Sequence, residues 1–106
     1  MMEHIIVFVT AKDVPEAELI ARSLVEKRLA ACCNIVKDIH SVYWWQDNIE
    51  ESSEAFVMIK TRRDLFKLLE AEVKALHSYT MPEILAIPVV DGNSGYLQWV
   101  DEATTQ

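Results

Sequence analysis

His77-Ser-Tyr-Thr-Met-Pro-Glu-Ile-Leu-Ala-Ile-Pro88 is where two periodicities meet, and its reading decides the fold. Before it, Leu65, Leu68, Leu69, Val73 and Leu76 recur at the spacing of a buried helical stripe. After it, Ile84–Val90 is apolar at consecutive positions, which predicts a strand rather than a half-wet surface element. Pro82 enforces the change, because the residue before a proline is pushed out of helical backbone and the ring lacks an N–H. The stretch thus joins a polar, ligand-capable segment (His77, Tyr79, Glu83) to a run that can only be buried.

Outward from it, the chain repeats the same alternation. His4-Ile-Ile-Val-Phe-Val-Thr10 is β-branched and apolar on both faces, and predicts a strand. Asp13-Val-Pro-Glu16 predicts a helix start, with Asp13 as cap, Pro15 in the first turn and Glu16 completing a capping box. Ala17, Ile20, Ala21, Leu24 and Val25 continue that helix, which should end near Leu29–Ala31. Cys32 to Asp47 reads as extended, Asp47-Asn48 as a turn, and Ile49 to Thr61 as the return strand. Thr61 would cap the second helix, with Asp64 completing its box. Asp91-Gly-Asn-Ser-Gly95 is a loop, and Tyr96-Leu-Gln-Trp-Val100 a short terminal helix.

The order is βαββαβ plus a C-terminal helix. It predicts one α+β domain over 1–106, a ferredoxin-like antiparallel sandwich with a long β2–β3 hairpin. Strands one and three would be central. Strands two and four would be edges, which suits Pro88.

A two-layer sandwich should alternate, keeping one sheet face wet. Ile5–Val9, Ala55–Ile59 and Ile84–Val90 do not alternate. A second copy of the chain is the natural cover, because large apolar patches are rarely left open. The second strand points the same way: about sixteen residues at roughly 3.3 Å each extend about 50 Å, against a radius of gyration of about 13 Å for a compact domain of this length. Tyr43, Trp44 and Trp45 near its tip cannot all be buried by an isolated hairpin. Either the arm curls back and its rings cap the local core, or they dock on a neighbouring subunit. The second reading predicts an obligate homo-oligomer of cyclic symmetry.

The charge of −7, from 10 Lys+Arg against 17 Asp+Glu, argues against a nucleic-acid partner. The apolar runs are too short to span a bilayer, and Met1-Met2-Glu3-His4 lacks a basic signal-peptide start, so no membrane role and a cytoplasmic location are expected. Adjacent Cys32 and Cys33 point to opposite faces of a strand and fit reduced thiols.

No Walker loop, GxGxxG, HExxH, GxSxG or paired CxxC occurs, so no enzyme is expected. His4 and His40 read as surface or edge residues. His77 ends a helix, where an imidazolium could meet the last carbonyls, or it is a metal ligand with Glu83 and Cys32 beside it. Cys32 alone reads equally as a small buried hydrophobe. Glu50, Glu51 and Glu54 read as a solvated strand end, or as a cation-attracting rim. Tyr96 and Trp99 pack the last helix or stack on a ligand. Lys60, Arg62 and Arg63 gather at a helix N-terminus, where anions bind.

Five ordered motifs carry a resemblance: Leu29-Ala-Ala-Cys-Cys-Asn34, Ser41-Val-Tyr-Trp-Trp45, Met58-Ile-Lys-Thr61, Leu76-His-Ser-Tyr-Thr-Met-Pro-Glu83 and Tyr96-Leu-Gln-Trp-Val100. Together they resemble the CutA family of divalent-cation tolerance proteins (CutA1) over essentially the whole chain. The resemblance implies a ferredoxin-like homotrimer, similar in architecture to PII signalling proteins, in the cytoplasm. It implies a link to divalent metals, copper especially, as ligand rather than as a required cofactor. Carried over by position, it points to Cys32, His77 and Glu83 as metal ligands. Ser78 and Thr80 depart from the family's His-Pro-Tyr-Glu pattern, and Val9 and Leu76 stand where some bacterial members have copper-binding cysteine and histidine. The alternative is a PII-like sensor holding a small anion in a subunit cleft through Tyr79, Lys60 and Arg62, with Tyr43, Trp44 and Trp45 at the oligomer interface.

Overall fold

A computed structural model describes residues 3–106; Met1 and Met2, which enter the reading of the N-terminus, lie outside the described residues. Strand β1 is His4–Ala11, helix α1 Val14–Glu26, strand β2 Cys32–Trp45 and strand β3 Asn48–Arg62. A single 3-10 turn, Arg63–Leu65, leads into α2, Phe66–Leu76; β4 is Ile84–Pro88 and α3 is Ser94–Ala103. The sheet order is β2-β3-β1-β4, antiparallel throughout. This is the expected sandwich, with β1 and β3 central and Pro88 on an edge strand.

Residues of β1 alternate strictly in burial. Ile5, Val7, Val9 and Ala11 pack with Ala55, Val57 and Ile59 of β3 against Ile20, Leu24, Leu69 and Val73 of the two helices. The opposite face is apolar too. Register places Ile6 and Phe8 beside Ile87 and Leu85, and Phe8 beside Met58. Phe8 and Phe56 stack with ring centroids 5.3 Å apart. Helix α3 covers one end of this face: Val100 is buried, His4 Nε2 lies 2.8 Å from Asp101 Oδ1, and Arg62 donates to the Thr104 carbonyl at 3.3 Å. Beyond α3 the face is open, with Leu85 60% and Ile87 43% exposed. His4 is therefore tied into the α3 contact rather than free at the surface.

Several local expectations fail for tertiary reasons. Helix α1 stops at Glu26, not near Leu29–Ala31. Arg28 takes a left-handed φ of 57°, its N–H donates to the Val25 carbonyl at 3.1 Å, and the Leu29 N–H donates to Leu24 at 2.9 Å. That is a Schellman closure with Arg28 where glycine is usual. Leu29 and Ala30 are then buried by the closing turn. Thr61 does not cap α2 but stays in β3, fully buried, donating its hydroxyl to the Leu29 carbonyl at 2.7 Å. α2 begins at Phe66, and its N-cap Leu65 supplies no side-chain cap, because the 3-10 turn stands where a cap would. Leu68 is 58% exposed, so the buried stripe is Leu65, Leu69 and Val73, with Leu76 partly covered. β4 ends at Pro88 rather than Val90; only the Val89 N–H adds one more bond, to His4 at 3.0 Å.

The hairpin turn is Gln46-Asp47, one residue earlier than expected, with φ of 48° and 64°. Positive φ at both central residues matches the twist of the flanking strands. A bulge between Val36 and Ile39, with Asp38 at φ 56°, bends the arm without folding it back. The molecule measures 44 × 25 × 22 Å. Trp44 is 72% and Trp45 48% exposed, so the arm does not curl to bury its rings.

The Thr61–Leu29 bond locks the α1 exit to the central strand. Thr61→Val keeps the shape and leaves the buried carbonyl unpaired, which should cost about 1–3 kcal/mol in urea unfolding; an unchanged midpoint would refute that role.

Candidate functional site

The link from α2 to β4 is pinned from two sides. His77 caps α2, its N–H donating to Val73 at 2.9 Å. Its buried ring turns away from α2's carbonyls: Nε2 donates to the Thr10 carbonyl at 2.6 Å, while Nδ1 accepts the Tyr79 N–H at 3.1 Å. The two contacts fix the tautomer, since Nδ1 must be bare to accept. The helix-capping imidazolium expected from sequence is thus replaced by a ring clamped to the end of β1.

Glu16 is the second pin. The Asp13 carboxylate accepts the Glu16 N–H at 2.9 Å. The Glu16 carboxylate accepts the Lys12 N–H at 3.0 Å, one residue before the position a capping box would use, and the Ser78 N–H at 2.8 Å. It also lies 3.8 Å from His77 Nδ1. Burial alone would raise its pKa, but the hydrogen bonds from Lys12 and Ser78 outweigh burial and hold it below the usual carboxylate range. A proline at position 78, as in the family pattern, could not supply that amide.

Between this link and the hairpin arm lies a cleft of about 780 Å³, lined by Thr10, Tyr43, Trp45, Glu54, Tyr79, Met81 and Glu83 among others. Pairing of Ile39 with Glu54, Tyr43 with Glu50 and Trp45 with Asn48 puts Tyr43 and Trp45 on the sheet face of Glu54. Trp44 pairs with Ile49 on the other face, yet with Val42 it also borders the cleft. Glu54, which reads with Glu50 and Glu51 as a solvated strand end or a cation-attracting rim, is buried and accepts the Tyr79 hydroxyl at 2.7 Å. Burial first, then the Glu54 contact, pushes the Tyr79 hydroxyl above its ordinary range. Burial first, then the Glu54 charge, also raises the Glu83 carboxyl. None of the described lining residues is basic.

The structure does not bring Cys32, His77 and Glu83 together. Cys32 pairs with Lys60, and Lys60 with Ile6. His77 grips Thr10, four residues along β1 and so about 13 Å away. With both His77 nitrogens committed to backbone, this set does not fit a resident copper centre. No group of three or more His, Cys, Asp or Glu side chains that could hold a metal occurs among the described residues. Cys33 faces the core, where burial first and Cys32 second push its thiol up to about 12, against Lys60. Cys32 faces the other way, near Tyr96, whose hydroxyl is raised by burial and then by Cys32.

The anion set also disperses. Tyr79 lines the cleft, Lys60 bonds Asn34 on the open sheet face, and Arg62 lies 3.4 Å from Asp64 beside α3. Arg63 pairs with Glu3 at 2.9 Å. Tyr96 and Trp99 tilt against each other at 5.5 Å on α3, away from the cleft's lining.

The sequence pattern of the family described as CutA1 divalent ion tolerance protein matches residues 5–103. The chain belongs to the CutA1 family. It is 45% identical to the divalent-cation tolerance protein CutA of Thermus thermophilus, over 98% of this chain and 99% of that one. It is 47% identical to the human Protein CutA over 92% of this chain, which spans 54% of that longer relative. Among solved structures, CutA1 from Oryza sativa superposes with a TM-score of 0.95 at 39% identity, covering 98% of this chain and 95% of that one. The periplasmic divalent cation tolerance protein CutA from Archaeoglobus fulgidus superposes with a TM-score of 0.94 at 45% identity, covering 96% and 99%.

Within the CutA1 frame, sequence reasoning missed Glu16 as a site residue and left Glu54 between a solvated strand end and a cation-attracting rim. The capping-box spacing flagged Glu16, but only for α1. Nothing local marks Glu54 as buried except its place beside the apolar run Ala55–Ile59.

Because the folded Glu16 pKa is lowered, its stabilisation is present above the unfolded pKa and is lost as pH falls through the folded one. Glu16→Gln should lower the melting temperature at neutral pH, and the gap to wild type should close on acidification. A gap that persists at pH values well below the carboxylate range would contradict the assignment.

Proposed function

We propose that the chain works as a homotrimer in the response to divalent cations, copper among them, and takes up the cation at the Glu54–Glu83 end of the cleft. The observation that carries this is that Glu54 and Glu83 line one cleft with no basic residue among its described lining; in keeping with that, burial first and then the Glu54 charge raise the Glu83 carboxyl. A bound dication relieves that repulsion. Two carboxylates are fewer donors than such ions take, so water or a neighbouring subunit supplies the rest. Membership of a family described by divalent ion tolerance supports the ligand class.

The trimer, PII-like in architecture, is supported by the open apolar sheet face and by the outer face of the hairpin, where Val42, Trp44 and Ile49 are all exposed. Tyr43 and Trp45 then stand at the inner edge of that interface, where they wall the cleft. The two free thiols support a reducing compartment such as the cytoplasm. The proposal is for binding, not for a reaction.

Calorimetric titration of copper(II) and zinc tests it, in a Cys32→Ser background so that the thiol does not reduce copper. Glu83→Gln should weaken binding about tenfold or more, since even outer partners of metal ligands are worth that much. Superimposable isotherms with and without Glu83→Gln would refute the site.

A further inference from the structure

The carboxylate pair accounts for only one end of the cleft. At about 780 Å³ the cavity is far larger than a cation needs and matches a small organic ligand. Its other walls are Tyr43, Trp45, Tyr79 and the exposed Met81. Two of the rings are held by their polar ends: the Tyr79 hydroxyl bonds Glu54 at 2.7 Å, with the His77 ring packed 4.7 Å from the Tyr79 ring, and the Tyr43 hydroxyl lies 3.3 Å from Ser52 Oγ. Aromatic faces and a thioether do nothing for a hydrated dication. They suit an apolar body, and a positive head attached to it gains from both ring faces and carboxylates. The two acidic groups, with no basic one among the described lining residues, repel anions.

We infer that the cleft also binds a small organic ammonium cation, its head against Glu54 and Glu83 and its apolar body against Tyr43, Trp45 and Met81. The inference rests on the reading of Glu54 and Glu83 as the cation-attracting pair and names a second ligand class for it. An ammonium offers three donors to carboxylates that otherwise press on each other. Ligand and dication then compete for the same oxygens.

Calorimetry with three probes of one shape tests this: phenethylammonium, neutral phenethyl alcohol and anionic hydrocinnamate. The ammonium should bind saturably, about tenfold tighter than the alcohol, as expected for a charge contact with cation–π support; hydrocinnamate should not bind. Glu83→Gln should bring the ammonium down to the alcohol. Trp45→Leu, at the cleft wall, should weaken both several-fold while leaving the charge preference. Equal binding of the three probes, or a charge preference that survives Glu83→Gln, would overturn the inference. Metal binding without ammonium binding would overturn it and spare the metal reading. Ammonium binding through Glu83 without metal binding would support it and refute that reading.

Discussion

A four-stranded sheet has two faces, and in this chain both are apolar. The helices α1 and α2 close one of them, over Val7, Val9, Val57 and Ile59. The short α3 closes only the end of the other, leaving the Phe8–Phe56 stack, Leu85 and Ile87 without a partner in the single chain. Much of the remaining architecture follows from that imbalance. The arm formed by β2 and β3 runs past the body of the domain, and it too is apolar on exposed positions. In the proposed trimer, copies of the chain supply the missing second layer, since open apolar faces of this kind are rarely left to water.

The cleft forms where this open face meets the polar link between α2 and β4. Two buried side chains hold that link. His77 clamps it to the end of β1, and Glu16 gathers the amides of Lys12 and Ser78. Neither faces the cleft as a ligand; both position what does. Tyr79 and Glu83 are thereby set opposite Glu54, and the bulge in β2 aims Tyr43 and Trp45 at the same space. The acidic floor and aromatic walls come from three separate segments, β2, β3 and the α2–β4 link, which a rigid sheet edge can hold in fixed relation.

The layout was legible in the sequence because it is written in periodicity. The helical stripes, the consecutive apolar strands and Pro88 at an edge each follow from local rules. The second apolar face was legible for the same reason, in the failure of three strands to alternate. What was not legible depends on pairing across the sheet. Thr61 has the sequence setting of a helix cap, yet its neighbour in space is Leu29. Leu68 keeps helical spacing with the core but falls on the outer flank of α2. Glu54 reads as one of three acidic residues after a turn, and only its position across from Tyr79 buries it. Cys32, His77 and Glu83 share ligand chemistry, but Cys32 sits on β2, with β3 between it and the end of β1 that His77 grips. Lys60, Arg62 and Tyr79 fail to converge for the same reason, since they belong to the open face, the α3 contact and the cleft.

Sedimentation equilibrium from high to low micromolar concentration addresses the open sheet face most directly. The account predicts a single species of three chains that unfolds as it dissociates. A folded, monodisperse monomer with the Phe8–Leu85 face exposed to water would contradict it.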